Sequence, residues 1–564
     1  MRIIDRSLPV LLVALSVGCA SSPPPAAPAP TPTPTKTATD TLLEELGVKK
    51  PPAVEDEETL RERKRWNPDP VTDPVTGQRL QPVPKALPYV ARDGKVFNTR
   101  LNLPGFPIIK EDDQYWYIAA VEPKLKSPEE RKKEEEEANL PPIIDIPASE
   151  AEVITPRISK IRLHLKEMSE GLPVSGQWRR NFVLADLLGD GHLEIASPPP
   201  RLSSPVLRVF KLEGEKWVQL QVQVDDPQKR AAFSYGGLAA ADMDGDGKID
   251  LAFTGHGVSP FVLLNRGVNN GGLRFEVRRD GIPDGMSSQA LDLGDLVGDG
   301  HPDILAISDT PEWAETKGRE KVQPNGYIKG YDTRAFLSDG TAFHTLTSGL
   351  EGSCFGYTIA LWTPPKGSDA DPFIVSSCRY MMMAAILHEF DRKTLTFRLA
   401  AVDLVERYAG HLGSAVGTYR GFPAAYTTWF RNTPSGASRD VAGAGVTLYW
   451  REGKEWKKKR VVKWLDKQGV TEALAVGDLN GDGLDDVVFA DENLGRLRIL
   501  FQTKDGDFEE LDPKLEPKLE KGHPSCIRIG DVTGEGRNDI VVVSEYLTGD
   551  PSRAGGFRYF RNLR

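Results

Sequence analysis

One phrase recurs through this 564-residue chain and limits its fold more than any other feature. An apolar run leads to an aspartate, a short Gly/Asp loop follows, and an acidic residue then opens a second apolar run. The loops are 186–194 (DLLGDGHLE), 242–250 (DMDGDGKID), 295–303 (DLVGDGHPD), 478–486 (DLNGDGLDD) and 531–539 (DVTGEGRND). Copies stand about 55 residues apart, except for an interval of about three such spacings after 295. Two worn copies fill that interval. Tyr357–Trp362 leads through a Gly/Ser/Asp loop to Pro372–Val375, and Ser414–Gly421 leads to Ala424–Thr428. Trp362 and Thr418 then stand in the place of the leading aspartate. Seven copies result.

Each copy reads as four short strands. In the second these are Gly237–Ala241, Ile249–Thr254, Phe261–Asn265 and Leu273–Arg278. Four strands per period of roughly 40–55 residues make a blade, and blades ring a central channel. The expectation is an all-β fold, a seven-bladed β-propeller with four-stranded blades over residues 159–564. The last copy has three strands before Arg564. Residues 161–173 resemble the fourth strand and turn of the second copy, 273–283. An N-terminal strand is therefore expected to complete the last blade and cover its open edge.

The loops carry the chemistry. Side chains at positions one, three, five and nine, with the carbonyl at position seven, can surround a cation with oxygen, and glycine at six permits the sharp turn. Hard oxygen ligands in a flexible loop suit Ca²⁺. Two loops have the full set: Asp242, Asp244, Asp246 and Asp250 with the Lys248 carbonyl, and Asp478, Asn480, Asp482 and Asp486 with the Leu484 carbonyl. Three loops put Leu188, Val297 or Thr533 at position three. Their remaining acids are Asp186, Asp190 and Glu194; Asp295, Asp299 and Asp303; and Asp531, Glu535 and Asp539. Those sets suit either a hydrogen-bonded turn or a weak ion site. The worn copies are expected to hold no ion. The repeated phrase is similar to the FG-GAP/VCBS repeats of integrin α-subunit heads and many exported bacterial proteins, over roughly residues 160–564. That resemblance implies a propeller with Ca²⁺ in its blade loops and a binding role.

The N-terminus reads as an address. A basic start, the apolar run Leu8–Leu15 and small residues before Cys19 make an export signal. Its end resembles a bacterial lipoprotein signal with Cys19 as the lipidated residue, although Ser16 stands where that signal usually has leucine. Ala20, rather than aspartate, then points to the outer membrane, facing the periplasm or the surface. Residues 20–85 are rich in Pro, Ala, Thr and polar residues and read as a disordered tether. Residues 86–158 read as an irregular extension with a solvated charge run at 124–139.

An exported chain can form disulfides, and Cys354 and Cys378 flank the first two strands of the fourth copy, so a bond between them is expected, with Cys526 unpaired. A net charge of -10 argues against a nucleic-acid partner. No nucleophile elbow, His-Glu-x-x-His, phosphate loop or dinucleotide fingerprint occurs, so no catalytic residue is assigned and the chain reads as a non-enzyme. The expected function is a lipid-anchored binding or scaffold module for a protein or glycan. The alternative is a polysaccharide lyase or hydrolase, which predicts His, Arg, Tyr and carboxylates converging at one channel mouth.

Overall fold

The computed structural model describes residues 71–84, 89–90, 96–97, 109–112, 115–119 and most of 153–563. Within the last span, the longer stretches outside the described residues are 309–332, 351–355, 379–383, 432–442, 465–469 and 546–554. Every regular element among the described residues is a strand.

Seven antiparallel sheets follow one another along the chain. In the first blade, Val183–Ala185, Glu194–Ser197, Arg208–Glu213 and Lys216–Gln219 run in order from inner to outer strand. The second has Gly236–Ala241, Asp250–Gly255, Val258–Asn269 and Gly272–Arg278, with Val222–Asp225 added in parallel outside. The third to sixth repeat this meander, their inner strands being Ser288–Gly294, Gly356–Trp362, Ala409–Tyr419 and Val470–Gly477. The seventh has His523–Gly530, Asp539–Glu545 and Gly556–Asn562, and Leu165–Glu167 pairs outside the third as its fourth strand. Each inner strand touches the next, and the seventh touches the first. The ring is closed, and the expected N-terminal strand closes it.

Between each pair of neighbouring blades lies one apolar core. Leu238, Phe261 and Phe275 of the second blade meet Ala196 and Val209 of the first, for example. Trp178, Phe182 and Phe210 meet Phe557 across the seam between the seventh and first blades, with ring centroids 4.9, 5.3 and 5.9 Å apart. Alternation along the strands sends side chains to both faces, so each sheet serves two cores. Burying one such Leu or Phe is worth roughly 1.5–3 kcal/mol.

Several boundaries differ from the sequence reading. Arg157–Ile158 pairs in parallel with Glu509–Glu510 of the sixth blade, and Ile154 bridges Lys463 of the fifth, so the propeller begins before residue 159. Residues 71–84, read as tether, hold the strands Val71–Thr72 and Arg79–Pro84. These join Tyr115–Ala119 and Lys110–Glu111 in a four-stranded sheet that belongs to a separate unit. Turn chemistry outweighs composition there: Asp73 Oδ1 accepts the N–H groups of Val75 (2.9 Å) and Thr76 (3.0 Å), and Gly77 takes φ 68°. Residues 1–70, with Cys19, lie outside the described residues, as do Cys354 and the side chain of Cys378. Cys526 is a buried free thiol.

A chain beginning at residue 170 lacks the closing strand. Followed by circular dichroism, it is expected to melt at a lower temperature than a chain beginning at residue 153. Equal melting would mean that Leu165–Glu167 contributes nothing to closure.

Candidate functional site

The five acidic loops all join a first strand to a second, and all share one hydrogen-bond net. The leading carboxylate accepts the N–H of position six through Oδ2: Asp186 from Gly191 (2.9 Å), Asp242 from Gly247 (3.0 Å), Asp295 from Gly300 (2.9 Å), Asp478 from Gly483 (2.8 Å) and Asp531 from Gly536 (2.6 Å). Its Oδ1 takes the amide of position four or five, as Asp242 does from Gly245 (2.8 Å). The fifth-position acids Asp190, Asp246, Asp299 and Asp482 each accept the N–H of position seven. In the second loop Gly245 and Gly247 sit at φ 75° and 85°, a region that side chains with a Cβ avoid. This is why glycine recurs at positions four and six.

Position nine does something the sequence did not reveal. Asp250, Asp303, Asp486 and Asp539 are at most 1% exposed. Their Oδ2 atoms accept the position-two amides of Met243, Leu296, Leu479 and Val532, at 2.8, 2.8, 2.9 and 3.3 Å. Their Oδ1 atoms accept third-strand amides from Asn265, Ser338, Gln502 and Asn562, at 2.7, 2.8, 3.2 and 2.8 Å. The ninth residue is thus a brace inside its blade. Glu194 in the first loop is longer, and its Oε2 takes Leu187 (2.9 Å) and Leu188 (3.2 Å) instead. Burial pushes these carboxyls up despite their amide donors: Asp486 to about 8, Asp303 and Glu194 to about 7, and Asp250 to about 6.

Metal fit is testable on the oxygens. Asp242, Asp244 and Asp250 each bring one carboxylate oxygen to within 4.8 Å of the others. A set of hard oxygens at that spacing fits a calcium-sized ion. In the sixth blade, Asn480 holds position three: its Oδ1 accepts the Asp482 amide (2.9 Å) and its Nδ2 donates to Asp482 Oδ2 (3.1 Å). The loops with Leu188, Val297 and Thr533 keep the same leading-acid net, which gives the hydrogen-bonded-turn reading a concrete geometry.

In the worn copies the register differs from the sequence reading. In each intact blade the residue before the leading aspartate pairs with position nine, as Ala241 does with Asp250. In the fourth blade Trp362 pairs with Phe373, so Thr363 rather than Trp362 holds the leading place. In the fifth, Tyr419 pairs with Phe422 around a turn of Arg420 (φ 51°) and Gly421 (φ 78°), so Thr418 lies inside the strand.

Sequence reasoning missed the residues that stitch blade to blade beside these loops. Asn265 Nδ2 donates to Leu187 O of the first loop (2.8 Å) and to Ile249 O of its own (3.0 Å). Asn562 Nδ2 repeats this toward Leu479 O (3.0 Å) and Asn538 O (3.2 Å). Arg392 of the fourth blade reaches Leu296 O (2.8 Å) and Asp295 O (3.2 Å) of the third. Asp485 accepts both the N–H (2.7 Å) and the hydroxyl (2.8 Å) of Thr418.

A second group gathers at the opposite ends of the strands. Tyr235 stacks on His256 at 5.4 Å and 22°, Arg179 and Arg201 lie 5.9 and 5.7 Å from the Tyr235 ring, and Gln289 contacts His256 at 3.4 Å. Arg179 also forms a buried ion pair with Glu545. Nearby in the sequence of blades, His523 bridges Glu472 (2.8 Å) and Glu492 (3.3 Å). Burial alone would lower the His523 pKa, but the two carboxylates raise it well above its ordinary value.

The FG-GAP-like repeat family matches residues 231–306 and 478–542. Both matched stretches lie within the closed seven-bladed propeller. The matched stretches hold four of the five acidic loops, including both with full ligand sets; the worn blades lie outside them. Among solved structures, the crystal structure of BBS1N in complex with ARL6DN aligns over 72% of this chain and 98% of its own, at 9% identity and a TM-score of 0.39. That likeness is too distant to add to the fold. No curated protein matches the chain. FG-GAP repeats on a closed ring fit a binding or scaffold type of module.

Asn265→Ala removes both donations of the stitch. It is expected to lower stability by about 1–3 kcal/mol in denaturant melts. A change below about 0.3 kcal/mol would mean that the stitch is not a structural tie.

Proposed function

We infer that this chain is an exported, calcium-stabilised binding and scaffold propeller, held at the bacterial outer membrane by a lipid on Cys19, with a protein or glycan as its ligand. The observation that carries the calcium part is the meeting of the Asp242, Asp244 and Asp250 oxygens within 4.8 Å, on a loop already fixed by backbone amides. Asp242, Asp244, Asp246 and Asp250 with the Lys248 carbonyl, and Asp478, Asn480, Asp482 and Asp486 with the Leu484 carbonyl, would hold the ions. Calcium there supplies positive charge that offsets the repulsion of close carboxylates. The scaffold part draws on the closed ring, whose rigid blades leave loops at both faces to carry recognition. Residues 1–19 as signal and Cys19 as anchor support the location.

One observation favours a second reading, a polysaccharide-acting lyase or hydrolase. Tyr235, His256, Arg179, Arg201 and Glu545 gather at one end of the ring, the mixture such a site would need. The two readings part on whether the chain shortens a polysaccharide.

The calcium reading has a pH signature. A carboxyl whose folded pKa is raised contributes stability that is complete below about 4 and is lost as pH rises through the folded value. For Asp250 and Asp486 those values are about 6 and about 8. Calcium binds the ionised form and takes over from the proton. The melting temperature in calcium is expected to exceed that in EDTA slightly near pH 5 and much more near pH 8. A gap that is absent at the higher pH, or that narrows as pH rises, contradicts the assignment.

The anchor is tested by fractionation. The full chain is expected to sediment with membranes, and Cys19→Ala is expected in the soluble fraction. Membrane retention of Cys19→Ala would remove the lipid reading.

A further inference from the structure

The five acidic loops share a net but not what sits on their carboxylates. In the seventh blade two arginines join the amides on these carboxylates. Asp531 uses both on the amides of Glu535 (2.9 Å) and Gly536 (2.6 Å). Glu535 holds Arg561 on Oε1 and Arg537 on Oε2. Asp539 holds the Asn562 amide on Oδ1 (2.8 Å), and on Oδ2 the Val532 amide (3.3 Å) and the Tyr559 hydroxyl (2.9 Å). Position three, Thr533, offers no carboxylate.

The first blade repeats the device with a lysine. Lys211 Nζ donates to Asp190 Oδ2 at 2.9 Å. Glu194 keeps one buried oxygen without a donor, and the Lys211 ammonium lies close enough to feel its charge. Position three is Leu188.

Lys211 and Arg561 occupy the same register. Ile195 pairs with Phe210, which sets Lys211 opposite Glu194; Ile540 pairs with Phe560, which sets Arg561 opposite Asp539. In the other acidic blades that place is apolar. Leu251 pairs with Leu263, Ile304 with Phe336 and Val487 with Leu500, so Leu264, Leu337 and Phe501 face Asp250, Asp303 and Asp486. The second blade has cations from other places: Arg266 reaches Asp244 (2.8 Å) and Glu276 (3.0 Å), and Lys248 of the loop itself reaches Asp246 (2.5 Å). Neither cation stands in the third-strand register opposite position nine that Lys211 and Arg561 share.

We propose that Lys211 and Arg561 are built-in counter-cations that close the first and seventh acidic loops without metal. The proposal rests on the reading that the second and sixth loops take calcium. It also has a positional logic. The first and seventh blades flank the seam where the Leu165–Glu167 strand joins the C-terminal strands. A ring whose seam is held by its own side chains stays shut when the metal leaves, while the second and sixth rims loosen.

The test is amide hydrogen exchange by mass spectrometry on the full chain, in calcium and in EDTA. Peptides over 242–250 and 478–486 are expected to exchange about tenfold faster in EDTA, while 186–194 and 531–539 keep their rates. Faster exchange of 186–194 and 531–539 in EDTA would overturn the proposal. No response at any of the four loops would instead remove the calcium reading, and the variants then decide the proposal by themselves. In EDTA, Lys211→Gln is expected to speed exchange of 186–194 and Arg561→Gln that of 531–539. The charge-keeping variants Lys211→Arg and Arg561→Lys are expected to restore protection. Unchanged exchange in the Gln variants, or recovery of their loops on adding calcium, would show that the side-chain charge is not what closes them.

Discussion

In the second, third, sixth and seventh blades a fully buried carboxylate accepts one backbone amide from its own loop and one from the third strand of its blade. These contacts tie the end of the loop to the far end of the third strand. They also hold a charge away from water, which is why burial drives these groups toward protonation. The rest of the loop follows from this cost. Backbone amides converge on the leading acid, and in the first and seventh blades Lys211 and Arg561 add positive charge beside it.

The ring itself depends on apolar packing between blades, not on the acidic rim. Seven cores, one per interface, make each sheet share its two faces. Polar stitches then set the register between neighbours. Asn265 and Asn562 each place one amide group between two loops. The N-terminal segment touches the fifth, sixth and seventh blades before the first begins, through Ile154, Arg157–Ile158 and Leu165–Glu167. Edges that would otherwise be open to pairing are thereby covered.

Much of this was legible because the loop net demands particular residues at fixed offsets. Glycine at positions four and six answers to positive φ, and acids at one and nine answer to amides, so the phrase survives in the sequence wherever the net survives. The fifth blade shows the limit. Arg420 and Gly421 replace the net with a two-residue turn, and the position of the leading residue could then be set only by the Tyr419–Phe422 pairing. The strands at 71–84 were hidden for a related reason: their partners at 110–119 lie beyond residues 85–109, and proline-rich composition masked a local Asp73 turn. The stitches left no signal, and the ninth-position acids showed in the phrase without their bracing role, because the partners come from another blade or a distant strand. The Lys211 and Arg561 register became visible only once the ladders aligned Phe210 and Phe560.

The most direct measurement is a crystal structure of the propeller grown in calcium, with anomalous scattering used to place the ions. The account predicts a closed seven-bladed ring with ions in the loops of Asp242 and Asp478 and side-chain cations on Asp190 and Glu535. An open or differently numbered ring, or ions seated at Asp190 and Glu535 with the Asp242 and Asp478 loops bare, would contradict it.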